Sequence, residues 1–255
     1  MEKLLIAYEN DVKENFFENV ETIEITAEIV NADEKMNFDA VDTAVYFGKD
    51  KEKLSKFLEN AKDGGVKRVV YVASAICFFN RRNPEKNLEK HPFVKSQVDC
   101  ENEVLSYSDK MSVSIAELPS VYKLPLEIFA VDGVPSIKFK KFFLTFDGGY
   151  PEMSAENVAE SVISVAINGE NGVIYPLCDK NAKFKAKISE RNPDDKVYEY
   201  PEELWWILAL KAKTMLKKQG LAGSVDIKKL YKTDIFENYF FDDSEVRRAL
   251  KYENE

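Results

Sequence analysis

The chain has 255 residues, of which 45% are hydrophobic and 32% charged, and its formal net charge is -9. This length suffices for one large domain or for a core domain with an appendage, and the composition is that of a globular protein rather than a disordered or fibrous one. The acidic balance repels a phosphate backbone, so nucleic acid is not an expected partner.

The cysteines and the apolar segments indicate where in the cell the protein is expected and whether it binds a metal or a membrane. The three cysteines are widely spaced and form no CxxC or Cys/His cluster; they are Cys77, Cys100 and Cys178. Reduced, packed thiols, a cytoplasmic location and no metal site are therefore expected. The N-terminal apolar run is too short for a signal peptide, and no run reaches the ~20 residues that span a bilayer. The helix predicted at 201–218 is expected to pack through Trp205 and Trp206 rather than lie on a membrane.

The first part of the chain alternates between strand and helix patterns. Residues 3–9 form a short apolar run typical of a buried strand, and residues 11–20 predict a short helix. Residues 21–30 alternate between apolar and polar side chains, and residues 38–47 are aliphatic and β-branched, so both segments are predicted to be strands.

The alternation continues through the middle of the chain. A helix is predicted at 50–63, ended by Gly64 or Gly65 in the left-handed conformation, and a strand follows at 66–75. The segment HPFVKSQVDCENEVL at 91–105 predicts a helix with Pro92 in its first turn, and a strand follows at 112–122. Apolar strands that alternate with helices predict a parallel sheet covered on both faces.

Beyond Tyr122 the pattern loosens into a hairpin-like insertion and then becomes regular again. Ser154 is placed to cap a helix at 155–167, with Glu156 in the first turn, and residues 172–178 return as a strand. The remaining tail is predicted to be mainly helical.

Several segments, in order, carry a resemblance to a known family. They are GVKRVVYVASAICFF at 65–79, the Pro-aromatic helix start at 92–93, VSIAELPSVYK at 113–123, YPEMSAENVAESVISVAI at 150–167 and GVIYPL at 172–177. Together they resemble the extended short-chain dehydrogenase/reductases, the NAD-dependent epimerase/dehydratase family, best over residues 66–178.

The resemblance implies a Rossmann-like, doubly wound, mainly parallel sheet with a dinucleotide across its carboxyl edge, and a small C-terminal substrate-type region. The chain is therefore expected to divide into four segments. They are a core at 1–122, a substrate-type insertion at 123–153, a return to the core at 154–178 and a mainly helical C-terminal region at 179–255.

The resemblance also implies a catalytic set of Ser or Thr, Tyr and Lys. Ser74 holds the Ser position, although a structural role at a strand end suits it equally. Phe93 falls on the Tyr position and Gln97 on the Lys position, so neither the proton donor nor the charge that lowers its pKa is present. No shift of the alignment restores the pair, because none of the twelve tyrosines is followed by lysine four residues later.

Other polar groups near the motif are weaker candidates. Lys95 lies two residues from Phe93, on another side of the helix, and cannot replace the missing lysine. His91 is a candidate substitute acid or base because the pKa of histidine lies near neutrality, and a solvated loop residue is the alternative. Three further candidates, each also compatible with a structural role, are Lys49, Glu101 and Glu117.

The turn after the first strand, where the family binds its cofactor, also departs from the family's pattern. A pyrophosphate normally lies against a Gly-rich turn after the first strand, but the turn here reads AYENDVKEN and the first glycine of the chain is Gly48. Glu9 and Asp11 place negative charge where phosphate would lie. The stretch before residue 38 is also too short for the usual additional helix. NAD(P) is therefore not expected to bind in the usual mode, and the remaining candidate cofactor-binding residues are Gly48, Lys49 and Pro119.

Three functional hypotheses follow. The first is a degenerate member, a pseudoenzyme, that acts as a ligand-binding, regulatory or partner subunit, with a small molecule or nucleotide as ligand. The second is an active NAD(P)-dependent epimerase, dehydratase or reductase with atypical groups. The third is an assembly role, since the resemblance implies homo- or heterodimerisation through helices at 50–63 and 92–107.

Overall fold

The computed structural model describes residues 3–9, 27–119, 121–122, 136–138, 142–201 and 242–251. The chain divides into two compact units. The first unit comprises Met1–Lys123, Glu152–Asp179 and Asp242–Glu255, and the second comprises Leu124–Pro151 and Lys180–Phe241.

The described elements alternate between strand and helix along most of the chain. The strands are β1 (Leu4–Tyr8), β2 (Ala27–Asn31), β3 (Thr43–Phe47), β4 (Arg68–Ser74), β5 (Ser112–Leu118), β6 (Ser136–Lys138), β7 (Phe142–Phe146), β8 (Gly149–Glu152), β9 (Val173–Pro176), β10 (Lys180–Lys183) and β11 (Lys196–Tyr200). The α-helices are α1 (Lys51–Asp63), α2 (Ile76–Arg82), α3 (Pro92–Leu105), α4 (Ala155–Asn168), α5 (Phe184–Arg191) and α6 (Ser244–Leu250).

The first unit is built on a six-stranded sheet in the order β2-β1-β3-β4-β5-β9, and all neighbouring strands are parallel. This confirms the predicted Rossmann-like architecture. The strand order reverses between β1 and β3, and open sheets of this kind bind ligands at the carboxyl ends of the strands at such a reversal. Tyr8 and Phe47 are in register there, so the switch point lies between the ends of these two strands. Residues 32–42, which link β2 to β3, contain turns and no helix, as their length predicts.

Helices α1 and α3 cover one face of this sheet. The N-terminus of α1 is capped by Asp50, whose side chain accepts hydrogen bonds from the N–H groups of Glu52 and Lys53. The buried side of α1 carries Leu54, Phe57, Leu58 and Ala61, as the helical spacing predicts. Gly65, with φ +78, is the glycine that takes the left-handed conformation after this helix. Val104 of α3 joins the same core cluster.

Helix α4 packs against β4 and β5. Ser154 caps it by accepting a hydrogen bond from the N–H of Asn157, and Glu156 lies in its first turn, as predicted. A Cβ on Gly169, at the end of α4, would lie 3.1 Å from Ser114 Oγ, whereas the flanking Val113 belongs to the core beneath α1 and α3. Since successive strand residues point to opposite faces, α4 covers the second face of the sheet.

The second unit contains smaller sheets. Strands β6 and β7 pair antiparallel, which agrees with the hairpin-like insertion, and β11 pairs parallel with β7. Helix α5 packs against β7 and β11, and its buried residues are Phe184 and Ile188. The segment after Cys178 therefore contains strands as well as helix among its described residues.

Some sequence predictions lie outside the described residues. They are the helix at 11–20, the first part of the strand at 21–30, the charge at Asp11 and the helix at 201–218 with Trp205 and Trp206. Among the helices that the structure does describe, none is long and apolar enough to cross a membrane.

Candidate ligand site at the carboxyl edge of the sheet

The loop Gly48–Asp50 follows β3 directly at the switch point, and its backbone is held by the protein's own side chains. The Gly48 N–H donates to Tyr122 Oη at 3.0 Å, and the Gly48 carbonyl accepts from Tyr71 Oη at 2.9 Å. The Lys49 carbonyl accepts from Ser96 Oγ, and the Asp50 N–H donates to Glu9 Oε1 at 3.0 Å. These four backbone groups of the loop thus already have partners within the protein.

The side-chain amide of Gln97 joins two strand ends. Its Oε1 accepts from the Ser74 N–H at 2.9 Å, and its Nε2 donates to the Gly48 carbonyl at 3.2 Å. Gln97 has no exposed surface, so both bonds are shielded from water. The residue at the predicted Lys position therefore ties the end of β4 to the loop after β3.

Glu9 follows β1 and fills the other side of the switch point. Its N–H donates to the Phe47 carbonyl at 2.9 Å, and its Oε1 also accepts from Tyr46 Oη at 2.7 Å. Only 7% of Glu9 is exposed. A Cβ on Gly48 would lie 2.1 Å from Glu9 Oε1, so a larger residue there would displace the Glu9 carboxylate. The carboxylate expected from the sequence to oppose phosphate lies at the reversal of strand order.

Phe93, at the predicted Tyr position, packs edge-on against Tyr122, with ring centroids 6.1 Å apart. Burial raises the pKa of Tyr122 well above its usual value, and the nearby charge of Glu9 raises it further. Burial likewise raises the pKa of Tyr71 and Tyr46. A tyrosine that serves as catalytic acid or base needs its pKa moved towards the working pH, and these three hydroxyls are shifted in the opposite direction.

Ser74 ends β4 and is 5% exposed. Its Oγ accepts from the Ile76 N–H at 3.4 Å, at the beginning of α2, so the hydroxyl contacts local backbone. Ser74 is in register with Leu118, the last residue of β5, and the buried Pro119 follows it. The structure thus brings Ser74, Gln97 and Gly48 together, with Pro119 on the adjacent strand end.

The remaining candidates near α3 are His91, Lys49 and Lys95. His91 is the N-cap residue of α3 and is half-buried, and its N–H donates to the Leu88 carbonyl at 3.0 Å. Lys49 is half-buried, and Lys95 is exposed on α3. None of these placements adds a proton donor at Phe93.

Glu101 and Glu117 form a separate buried cluster with Arg81 of α2. Arg81 Nη1 lies 2.9 Å from Glu101 Oε2, and Arg81 Nη2 lies 2.6 Å from Glu117 Oε2. The Sγ of Cys77 and one oxygen of each carboxylate lie within 4.8 Å of one another. Burial and the neighbouring charge of Glu117 raise the pKa of Glu101 to about 9, and burial also raises the pKa of Glu117. Both carboxyl groups are therefore harder to ionise than usual, although the charge of Arg81 offsets part of this effect.

Sequence reasoning missed three of the residues that shape these sites. Tyr122 appears in the sequence only as the end of a strand pattern, and Arg81 only as one of two adjacent arginines. Asp33 lies just beyond β2, where Rossmann folds place an acidic residue for the ribose, and it pairs with Lys53 at 2.5 Å. The signal for Asp33 was available, because an acidic residue after the second strand is part of the dinucleotide pattern.

A parallel sheet with this order and helices on both faces define a Rossmann-like, doubly wound α/β fold. No protein-family model matches the chain, and no curated protein matches it in sequence. Solved structures do match. The chain has the fold of the short-chain dehydrogenase/reductase superfamily and of nucleoside-diphosphate-sugar epimerases.

Three of the similar structures illustrate the likeness. A short-chain dehydrogenase/reductase superfamily protein from Agrobacterium tumefaciens with bound NAD has a TM-score of 0.61 and 12% identity, covering 98% of this chain and 92% of its own. A nucleoside-diphosphate-sugar epimerase from Pseudomonas aeruginosa has a TM-score of 0.58 and 12% identity, with 99% and 92% covered. An NADPH-dependent quinone oxidoreductase from Escherichia coli, complexed with NADPH, has a TM-score of 0.55 and 12% identity, with 97% and 95% covered.

Proposed function

We propose that this chain is a non-catalytic protein on the short-chain dehydrogenase/reductase fold. It does not transfer hydride and does not bind a dinucleotide in the usual mode. It acts instead as a ligand-binding, regulatory or partner subunit. The observation that carries this proposal is the bonding at the switch point, where Glu9 and the loop Gly48–Asp50 bond to each other and to buried side chains.

Repulsion between the Glu9 carboxylate and a phosphate group would weaken dinucleotide binding strongly. Two like unit charges 4 Å apart repel by about 4 kcal/mol at an effective dielectric constant of about 20. This corresponds to roughly a thousandfold in affinity, enough to turn micromolar binding into millimolar binding. Glu9 is buried, so solvent screens the repulsion less than it would at the surface.

The residues at the family's catalytic positions support the same proposal independently. Phe93 has no proton to give, and Gln97 uses both ends of its amide to hold Ser74 and Gly48. The neighbouring Tyr122 is bonded to the backbone of Gly48 and Val72, and its raised pKa does not suit proton transfer near neutral pH. The described residues around Phe93 thus serve to hold the strand ends together.

The alternative function is an active NAD(P)-dependent epimerase, dehydratase or reductase with atypical groups. Asp33 favours it, since a carboxylate beyond the second strand suits an adenosine ribose. In this chain the Asp33 carboxylate is paired with Lys53, so ribose binding would have to compete with that ion pair. The two functions differ in whether a dinucleotide binds with micromolar affinity.

The test is calorimetric titration of the full chain with NAD+, NADH, NADP+ and NADPH. We expect no micromolar affinity for any of the four, and micromolar affinity for one of them would overturn the proposal. Glu9→Gln keeps the size of the side chain and removes its charge, so it is expected to strengthen whatever weak binding exists. Glu52→Gln, an exposed position on α1, is the matched control and is expected to leave binding unchanged.

A further inference from the structure

The cluster below the carboxyl edge is formed by side chains from three elements. Cys77 lies in the first turn of α2, Glu101 on α3 and Glu117 near the end of β5. Helices α2 and α3 pack against each other and against β5, which brings these three side chains together. All three are buried, with exposed fractions of 0% for Cys77, 4% for Glu101 and 0% for Glu117.

Two oxygen atoms of the cluster have no positively charged partner. Arg81 binds Oε2 of both glutamates. Within the described part of the chain, Oε1 of Glu101 and Oε1 of Glu117 are buried and unmatched by an N–H donor, and the carboxyl groups interact with each other and with the Cys77 thiol instead. A buried carboxylate oxygen without a partner costs about 1–3 kcal/mol, so two such oxygens side by side favour binding of a positive ion.

We propose that Cys77, Glu101 and Glu117 bind a divalent transition-metal ion of the zinc class. One sulfur and two carboxylate oxygens within 4.8 Å of one another suit such an ion, whose bonds to these ligands are about 2.0–2.3 Å long. The thiolate selects against Mg2+ and Ca2+, which prefer oxygen ligands throughout. Three protein ligands leave the fourth tetrahedral position for an exogenous ligand.

The charges of the cluster support a divalent ion. With the thiol and both carboxyl groups ionised, the three ligands carry three negative charges and Arg81 carries one positive charge. A divalent cation makes this total neutral, which is the condition for charges to remain in a buried site at low cost.

Arg81 is the part of the cluster that reaches solvent. Its side chain is 40% exposed, whereas the two glutamate side chains that it binds are 5% and 0% exposed. We expect an ion to enter past this side chain.

The test uses the full chain, treated with a chelator and desalted, and titrated with Co2+ as a spectroscopic substitute for Zn2+. We expect a thiolate-to-cobalt charge-transfer band in the near ultraviolet that saturates at one ion per chain and disappears when Zn2+ is added. Zn2+ is also expected to raise the melting temperature. Absence of both the band and the thermal shift in the wild-type chain would overturn the proposal and leave a carboxyl pair that shares a proton.

Variants assign the site to these residues. Cys77→Ser is expected to remove the band and to weaken Co2+ binding by more than about tenfold, and Glu117→Gln is expected to weaken it to a similar degree. Cys100→Ser and Cys178→Ser remove the other two buried thiols and are expected to retain the band. A band that survives Cys77→Ser, or that is lost in either control, would place the metal elsewhere and contradict the assignment. Because the wild-type measurement decides first, loss of folding in a variant does not affect that result.

Discussion

Gln97 shows how one substitution can convert a catalytic position into a structural one. A lysine there would tune the pKa of a tyrosine hydroxyl, whereas the amide both accepts and donates. It accepts from the N–H of Ser74 and donates to the carbonyl of Gly48 within a fully buried site. An amide is suited to this because it has a donor at one end and an acceptor at the other, while an ammonium has only donors.

Gln97→Lys is therefore expected to destabilise the protein by about 3 kcal/mol, since the Ser74 N–H loses its acceptor and an ammonium is buried without a carboxylate partner. Chemical denaturation of the variant and the wild type measures this difference. Lys95→Gln, on the exposed side of the same helix, is the control and is expected to change stability by less than about 0.5 kcal/mol.

Adding Phe93→Tyr to Gln97→Lys restores both catalytic residue types but is not expected to produce oxidoreductase activity. The double variant still has Glu9 at the switch point, and the chain still lacks glycine in the turn after β1. Detectable turnover with NADH or NADPH would show that the cofactor binds despite this arrangement.

At the scale of elements, one guanidinium on α2 bridges α3 and β5 where these elements pack together. Arg81 bridges Glu101 of α3 and Glu117 of β5, at 2.9 and 2.6 Å. Loss of one partner from a buried ion cluster typically costs about 3–5 kcal/mol, because the remaining charges stay buried. Arg81 is 40% exposed, so solvent screening reduces that figure.

In chelator-treated protein, Arg81→Met is expected to lower the free energy of unfolding by about 2–3 kcal/mol. Arg82→Met is the neighbouring control. Arg82 lies over the ring of Phe78, with 5.2 Å from Cζ to the ring centroid, and a cation–π contact of this kind contributes about 0.5–1 kcal/mol at an exposed site. Equal losses in the two variants would mean that the bridge to the glutamates contributes nothing of its own.

Elements with a clear period and a cap could be predicted from the sequence, and the short ones could not. Helices α1 and α4 combine apolar residues at helical spacing with caps at Asp50 and Ser154, so their positions were predictable. Helix α2 has only seven residues and no side-chain cap at Ala75, and its apolar beginning reads as a continuation of β4.

The candidate sites also include residues that the sequence could predict and residues that it could not. Glu9 was predictable as a charge at the cofactor end because it lies directly after β1. The cluster of Cys77, Glu101 and Glu117 was not, because it combines residues 24 and 16 positions apart that meet only through the packing of α2 and α3 on β5. Sequence spacing alone carries no signal for ligands that tertiary packing brings together.

For the molecule as a whole, the dimer predicted from the sequence would bury the outer faces of α1 and α3. The exposed residues of α1 are polar or charged; they are Lys51, Glu52, Lys56, Glu59, Asn60, Lys62 and Asp63. Glu103 of α3 accepts from Ser55 Oγ at 2.9 Å and pairs with Lys51 at 3.4 Å, which ties the two helices together. A dimer through this surface would depend on ion pairs and hydrogen bonds more than on apolar burial.

We therefore expect dimerisation of the chain through α1 and α3 to weaken with salt. Raising the ionic strength from about 0.1 M to about 1 M shortens the screening length from about 10 Å to about 3 Å, which removes most of the attraction between exposed charges. Size-exclusion chromatography with light scattering at the two salt concentrations measures the change in mass. Lys56→Glu reverses an exposed charge on α1 and is expected to shift the dimer further towards monomer at low salt, whereas Lys35→Glu makes the same change in the loop after β2 and is expected to have no effect. A strict monomer at low salt, or a dimer that neither salt nor Lys56→Glu weakens, would exclude this interface, and a pull-down would then have to identify a different partner surface.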